Sequence, residues 1–129
     1  MTDGICGLGV DAVDIERFRR VLARRPSVAQ RLFTQSEREE ASSSRDASSR
    51  LAARFAGKEA LMKALGVGIG SFDLREVQIL RMASGAPRIV LTGRAEALAR
   101  SKGVSDLHVS LTHTDLVAVA SVVAVGSKR

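Results

Sequence analysis

Apolar residues recur along the chain with two periods, and the alternation between them predicts its elements. Residues 4 to 12 are apolar and glycine-rich and predict a strand; Asp14 then stands where it can cap a helix in which Ile15, Phe18, Val21 and Leu22 return at helical spacing. Pro26 ends that helix and suits the first turn of a shorter one carrying Val28, Leu32 and Phe33 as far as about Thr34. Ser36 and Glu39 match the S-x-x-E capping box of a further helix, and the polar stretch from Ser42 to Asp46 reads as a loop. From Ala47 to Leu65 the residues Leu51, Phe55, Met62 and Leu65 share one stripe, with Gly66 as the stop, which predicts a long helix. Gly57 within it costs about 1 kcal/mol relative to alanine, so either something packs closely there or the cost is simply tolerated. Beyond it the pattern predicts strands at 75 to 82 and 88 to 92 joined by a turn at Ser84-Gly85-Ala86-Pro87, a helix at 93 to 102, and strands at 106 to 112 and 116 to 125.

Strand runs with inserted helices, and no repeat or linker, predict a single α+β domain over residues 1 to 129, with a mainly antiparallel sheet packed on one long helix. The chain of 129 residues, 45% hydrophobic and 26% charged, has the balance of a packed globular fold. Without Trp or Tyr, and with four Phe, the core is expected to be mainly aliphatic. The lone Cys6 excludes an intrachain disulfide and a thiolate zinc cluster and suits a reducing cytoplasm. The N-terminus lacks the basic start and apolar run of a secretory signal, so the mature chain is expected to begin near Met1. The longest apolar run, Leu116 to Val125, is far short of the roughly 20 residues a bilayer requires.

A formal charge of +6 implies an acidic partner, whether nucleic acid, anionic membrane, phosphate-rich ligand or acidic protein. Arg17, Arg19, Arg20, Arg24 and Arg25 concentrate that charge on the first helix, with Arg31 beyond, as a solvated face or as a docking patch. On the long helix, Glu59 and Lys63 share a face, as an exposed salt bridge or as part of a phosphate site with Lys58 and the run Gly66-Val67-Gly68-Ile69-Gly70. That run lies after its helix and lacks the Lys-Ser/Thr of a P-loop. Asp11, at the end of the first strand, is a turn residue or, if the strand packs beside the long helix, a second carboxylate with Glu59 for a hard cation. Neither His108 nor His113 has the partners of a zinc site. Scarce aromatic residues and the lack of a recognition motif disfavour a nucleic-acid module.

Three segments together resemble one family: Gly7-Leu8-Gly9-Val10-Asp11-Ala12-Val13-Asp14-Ile15-Glu16-Arg17-Phe18, Arg54-Phe55-Ala56-Gly57-Lys58-Glu59-Ala60-Leu61-Met62-Lys63-Ala64-Leu65-Gly66, and His108-Val109-Ser110-Leu111-Thr112-His113. In order and spacing they are similar to the signatures of holo-acyl-carrier-protein synthases, over essentially the whole chain, with Gly57 where alanine is common. The resemblance implies a phosphopantetheinyl transferase fold assembled as a homotrimer with active sites between subunits. It implies transfer of 4′-phosphopantetheine from coenzyme A to apo acyl carrier protein in fatty acid biosynthesis, with magnesium on Asp11 and Glu59 and with Lys63 beside the phosphates. Glu59, Lys63 and Asp11 are then the catalytic residues. Arg54, Lys58, Lys63, Gly66, Gly68, Gly70, Ser110, Thr112 and His113 line the coenzyme site, and Arg17, Arg20 and Arg24 meet the carrier. Nucleic acid and membrane are not among the implied partners.

Overall fold

Residues 3–127 are described by a computed structural model, and the expected chain start at Met1 lies outside them. The first strand runs on to Asp14 (β1, Gly4–Asp14), whose carboxylate accepts from the Arg17 N–H and caps the helix that follows (α1, Ile15–Arg24). Two short helices come next (α2, Ser27–Leu32; α3, Gln35–Ser42), then the longest helix of the described residues (α4, Ala47–Leu65). Gly66 ends α4 in the left-handed region, at φ 71°, a conformation open to glycine at little cost. A 3₁₀ turn at Leu74–Glu76 occupies the start of the expected strand, because Asp73 and Glu76 form a reciprocal cap there. A hairpin (β2, Val77–Arg81; β3, Pro87–Leu91), a helix (α5, Gly93–Ser101) and two long strands (β4, Val104–His113; β5, Val117–Gly126) complete the order.

Among the described residues all strand pairings are antiparallel, but they form two sheets: three strands in the order β1-β5-β4, and the β2-β3 hairpin. The capping box of α3 also differs from expectation. Thr34 with Glu37, rather than Ser36 with Glu39, makes the reciprocal bonds. Both pairs have the right spacing; Thr34 wins because the Glu37 carboxylate it shares is wanted inside the fold.

Helix α4 is covered on nearly every side rather than along one stripe. Its N-terminal half packs on Ile15, Phe18, Phe33 and Ala118, where the Phe18 ring stacks on Phe55 at 5.4 Å and meets Phe33 edge-on at 6.3 Å. Its C-terminal half lies on the three-stranded sheet, against Ala120, Val122 and Ala124 of β5. The approach to β1 is closer still: a Cβ at Gly7 would overlap the Ala64 carbonyl, and one at Gly9 the Ala60 carbonyl. Gly57 is explained as well, since a Cβ there would press on the Ile79 side chain.

These contacts differ in how far they can yield. The Ala60 carbonyl is helix backbone, whereas the tip of Ile79 can turn aside. Gly9→Ala should therefore cost about 1–3 kcal/mol of stability, and Gly57→Ala less, since alanine recovers about 1 kcal/mol of helix propensity. Urea midpoints of the two variants check the order.

Candidate active site

The glycine contacts bring α4 onto β1 beside Asp11. Asp11 pairs across the sheet with Ala120, so its side chain lies on the helix-facing side with Gly7 and Gly9. Lys63 donates to Asp11 Oδ1 at 3.1 Å and to the Val10 carbonyl at 3.0 Å. Asp11 is 16% exposed and Lys63 57%, so the pair opens to solvent on the lysine side. Glu59, one turn before Lys63, is close enough for charge coupling to both. Burial and then the Asp11 carboxylate push its carboxyl above the ordinary glutamate range, and Lys63 acts the other way.

Two neighbouring carboxylates, one of them disfavoured by the other's charge, suit a hard divalent cation. Magnesium typically takes one or two protein carboxylates and completes its shell with phosphate oxygens and water. Among the described residues no cluster of three or more His, Cys, Asp or Glu could hold a metal.

Lys58, expected to line the coenzyme site, is buried away from this cluster. Its side chain and that of Glu37 are 0% exposed, and the ammonium donates to Glu37 Oε1 at 2.7 Å, to the Leu32 carbonyl at 2.7 Å and to the Leu74 carbonyl at 3.0 Å. All three N–H donors are thereby used, and the Phe33 ring lies 5.0 Å from the nitrogen. Desolvation pushes the Lys58 pKa down, against the pull of Glu37. Removing one partner of such a buried pair costs about 3–5 kcal/mol. The Gly66 N–H is likewise spent, on the last carbonyls of α4. Gly68 and Gly70 stand in the open loop, with nothing within 4 Å of where a Cβ would be.

A second cluster lies on the far side of α4. Arg54 donates through Nε to the Ile79 carbonyl at 2.9 Å and pairs with Glu40. With Arg50, Arg81, Pro87, Thr112 and His113 it lines a pocket of about 110 Å³. Arg50 and Arg81 are absent from the sequence reading, because neither falls in a motif and only the fold brings them to Arg54. Ser110 does not line this pocket; it is in register with Ser121 and Val10, on the outer face of the sheet.

The two clusters do not meet within the chain. Glu59 and Arg54 are about 140° apart around α4. Asp11 is on one edge strand and His113 on the other, with β5 between them, so about 10 Å separates the strands. On α1, Arg17, Arg20 and Arg24 are exposed at spacings that share one face, while Arg19 is held by Glu16 and Asp46.

The profile of the 4′-phosphopantetheinyl transferase superfamily matches residues 7–118. The chain belongs to this superfamily. The holo-[acyl-carrier-protein] synthase of Frankia casuarinae is 43% identical over 93% of this chain and 97% of its own. Among solved structures, the holo-[acyl-carrier-protein] synthase of Neisseria meningitidis superposes with a TM-score of 0.86 at 31% identity, covering 94% of this chain and 98% of its own. The Helicobacter pylori synthase in complex with coenzyme A gives 0.79 at 31% identity, over 91% and 98%.

The transferase chain's carboxylate pair makes its stability depend on pH. A carboxyl raised in the fold binds its proton more tightly there than in the unfolded chain, so stability falls as pH rises from the ordinary glutamate range through the raised value. Without divalent ions, Glu59→Gln should melt above wild type at about pH 7.5, and the gain should disappear below about pH 4. Thermal scans in chelator at both pH values check this.

Proposed function

We propose that the chain transfers the 4′-phosphopantetheine arm of coenzyme A to a serine of apo acyl carrier protein, giving the holo carrier and adenosine 3′,5′-bisphosphate, in the cytoplasm and in support of fatty acid biosynthesis. The observation that carries the reading is the Asp11–Glu59–Lys63 cluster, two carboxylates and a cation gathered on the superfamily's fold. Asp11 and Glu59 would hold magnesium, which when bound offsets charge on the coenzyme pyrophosphate. Lys63, which is largely exposed, would supply positive charge to the same oxygens.

The carrier serine oxygen bonds to the phosphorus of the pantetheine phosphate, and the bridging oxygen leaves with the adenosine bisphosphate. The serine proton passes to Glu59, directly or through a water. No protein nucleophile takes part, and most of the rate comes from positioning and electrostatics. Arg17, Arg20 and Arg24 form the docking face for the acidic carrier. Among the described residues no helix is long and apolar enough to cross a membrane.

The same reading favours a homotrimer with sites between subunits. Arg50, Arg54, Arg81, Thr112 and His113 suit the 3′-phosphate end of the coenzyme, yet they face away from Asp11 and Glu59, and a second copy would bring the two halves together. The outer face of the three-stranded sheet supports this, since Leu8 is 65% and Val10 54% exposed there. Apolar area of that kind marks an interaction face.

Incubated with apo carrier, coenzyme A and magnesium, the protein should add one phosphopantetheine to the carrier, as read by intact-mass spectrometry. No addition should occur in chelator or with Asp11→Ala; modification in chelator would remove the metal. For the shared site, Asp11→Ala and His113→Ala should each be nearly inactive alone. Unfolded, mixed and refolded together, they should regain activity, because some mixed sites combine an intact Asp11 with an intact His113. No recovery from mixed oligomers would place the whole site within one subunit.

A further inference from the structure

We infer that Glu37, buried and remote from the reacting atoms, is a positioning residue that sets the coenzyme pocket by holding strand β2 in place of a neighbouring strand. Both carboxylate oxygens are engaged. Oε1 accepts from Lys58 Nζ and from the Thr34 N–H at 3.0 Å, and Oε2 accepts from the Ile79 N–H at 3.1 Å. The carbonyl of the same Ile79 accepts from Arg54 Nε. Both backbone groups of Ile79 therefore bond to charged side chains, one from α3 and one from α4. The next two residues, Leu80 and Arg81, line the arginine pocket together with Arg54.

A shift at Glu37 thus reaches the pocket by two short routes, through the backbone of Ile79 to Arg81 and through its carbonyl to Arg54. Lys58 clamps the arrangement from below, drawing in the ends of α2 and the 3₁₀ turn. A glutamine in place of Glu37 cannot reproduce this. Its amide has one acceptor oxygen, so its NH₂ must face either the Ile79 N–H or the Lys58 ammonium, donor against donor.

The inference rests on the reading of that pocket as the seat of the coenzyme's adenosine bisphosphate end. Its test is calorimetric binding of adenosine 3′,5′-bisphosphate and of coenzyme A to wild type, Glu37→Gln and the double variant Glu37→Met/Lys58→Met, each well below its melting temperature. The double variant removes both buried charges and should recover most of the stability lost by the single change. Its nucleotide affinity should nevertheless stay lower than wild type by roughly tenfold or more, the scale on which misplaced positioning groups act. In turnover the loss should appear in the coenzyme KM, with the carrier KM unmoved. A stable double variant that binds the bisphosphate as wild type does overturns the inference, as does wild-type affinity in Glu37→Gln should the double variant not fold. Wild type that binds no bisphosphate defeats the coenzyme reading itself.

Discussion

The carboxylate half of the candidate site depends on how closely α4 can lie on β1. The contact is made by the absence of side chains: glycine at positions 7 and 9 on the strand, alanine at 60 and 64 on the helix. Helix backbone and strand backbone meet almost directly, and Asp11, two residues beyond Gly9, is carried up to Glu59 and Lys63. With larger residues at those positions the helix would stand away from the strand, and Glu59 would lose part of the burial, and with it the Asp11 field, that push its carboxyl up. The G-x-G-x-D pattern is thus a packing instruction as well as a chemical one, since its glycines set the distance at which its aspartate works.

The other flank of α4 is organised by charge. Lys58 and Arg54 are buried there, and each is answered by a glutamate of α3, Glu37 and Glu40. Ion pairs of this kind gain little over well-packed apolar side chains. Their value is directional: an ammonium with three donors and a guanidinium with a planar fork can bind carbonyls of separate elements at set angles, which a leucine cannot. α2, α3, the 3₁₀ turn and β2 are joined through these two side chains.

The order and approximate ends of the elements were legible because most of their signals are local. Asp14 caps α1 through its own side chain, and Gly66 ends α4 by its own backbone conformation. The grouping of Asp11, Glu59 and Lys63 was legible too, because strand and helix patterns expose which residues share a face. What escaped depended on distant partners. The pairing of Lys58 with Glu37, 21 residues earlier in the chain, has no local signal. Arg50 and Arg81 belong to the pocket only because β2 folds back beside α4. The choice of Thr34 over Ser36 as the cap was likewise decided by a long-range contact, the burial of Glu37.

The side chains that cover β2 have one more effect. A two-stranded ribbon ordinarily leaves an outer row of amide and carbonyl groups that another chain can extend into an aggregate. Here the middle of that row, at Ile79, is occupied by a carboxylate and a guanidinium from the same molecule. The hairpin is thereby closed to growth at its centre. Damage to Glu37 would do more than loosen the fold, because it would uncover a sticky edge on an aliphatic strand, and the failure of such a variant would be expected to show first as self-association.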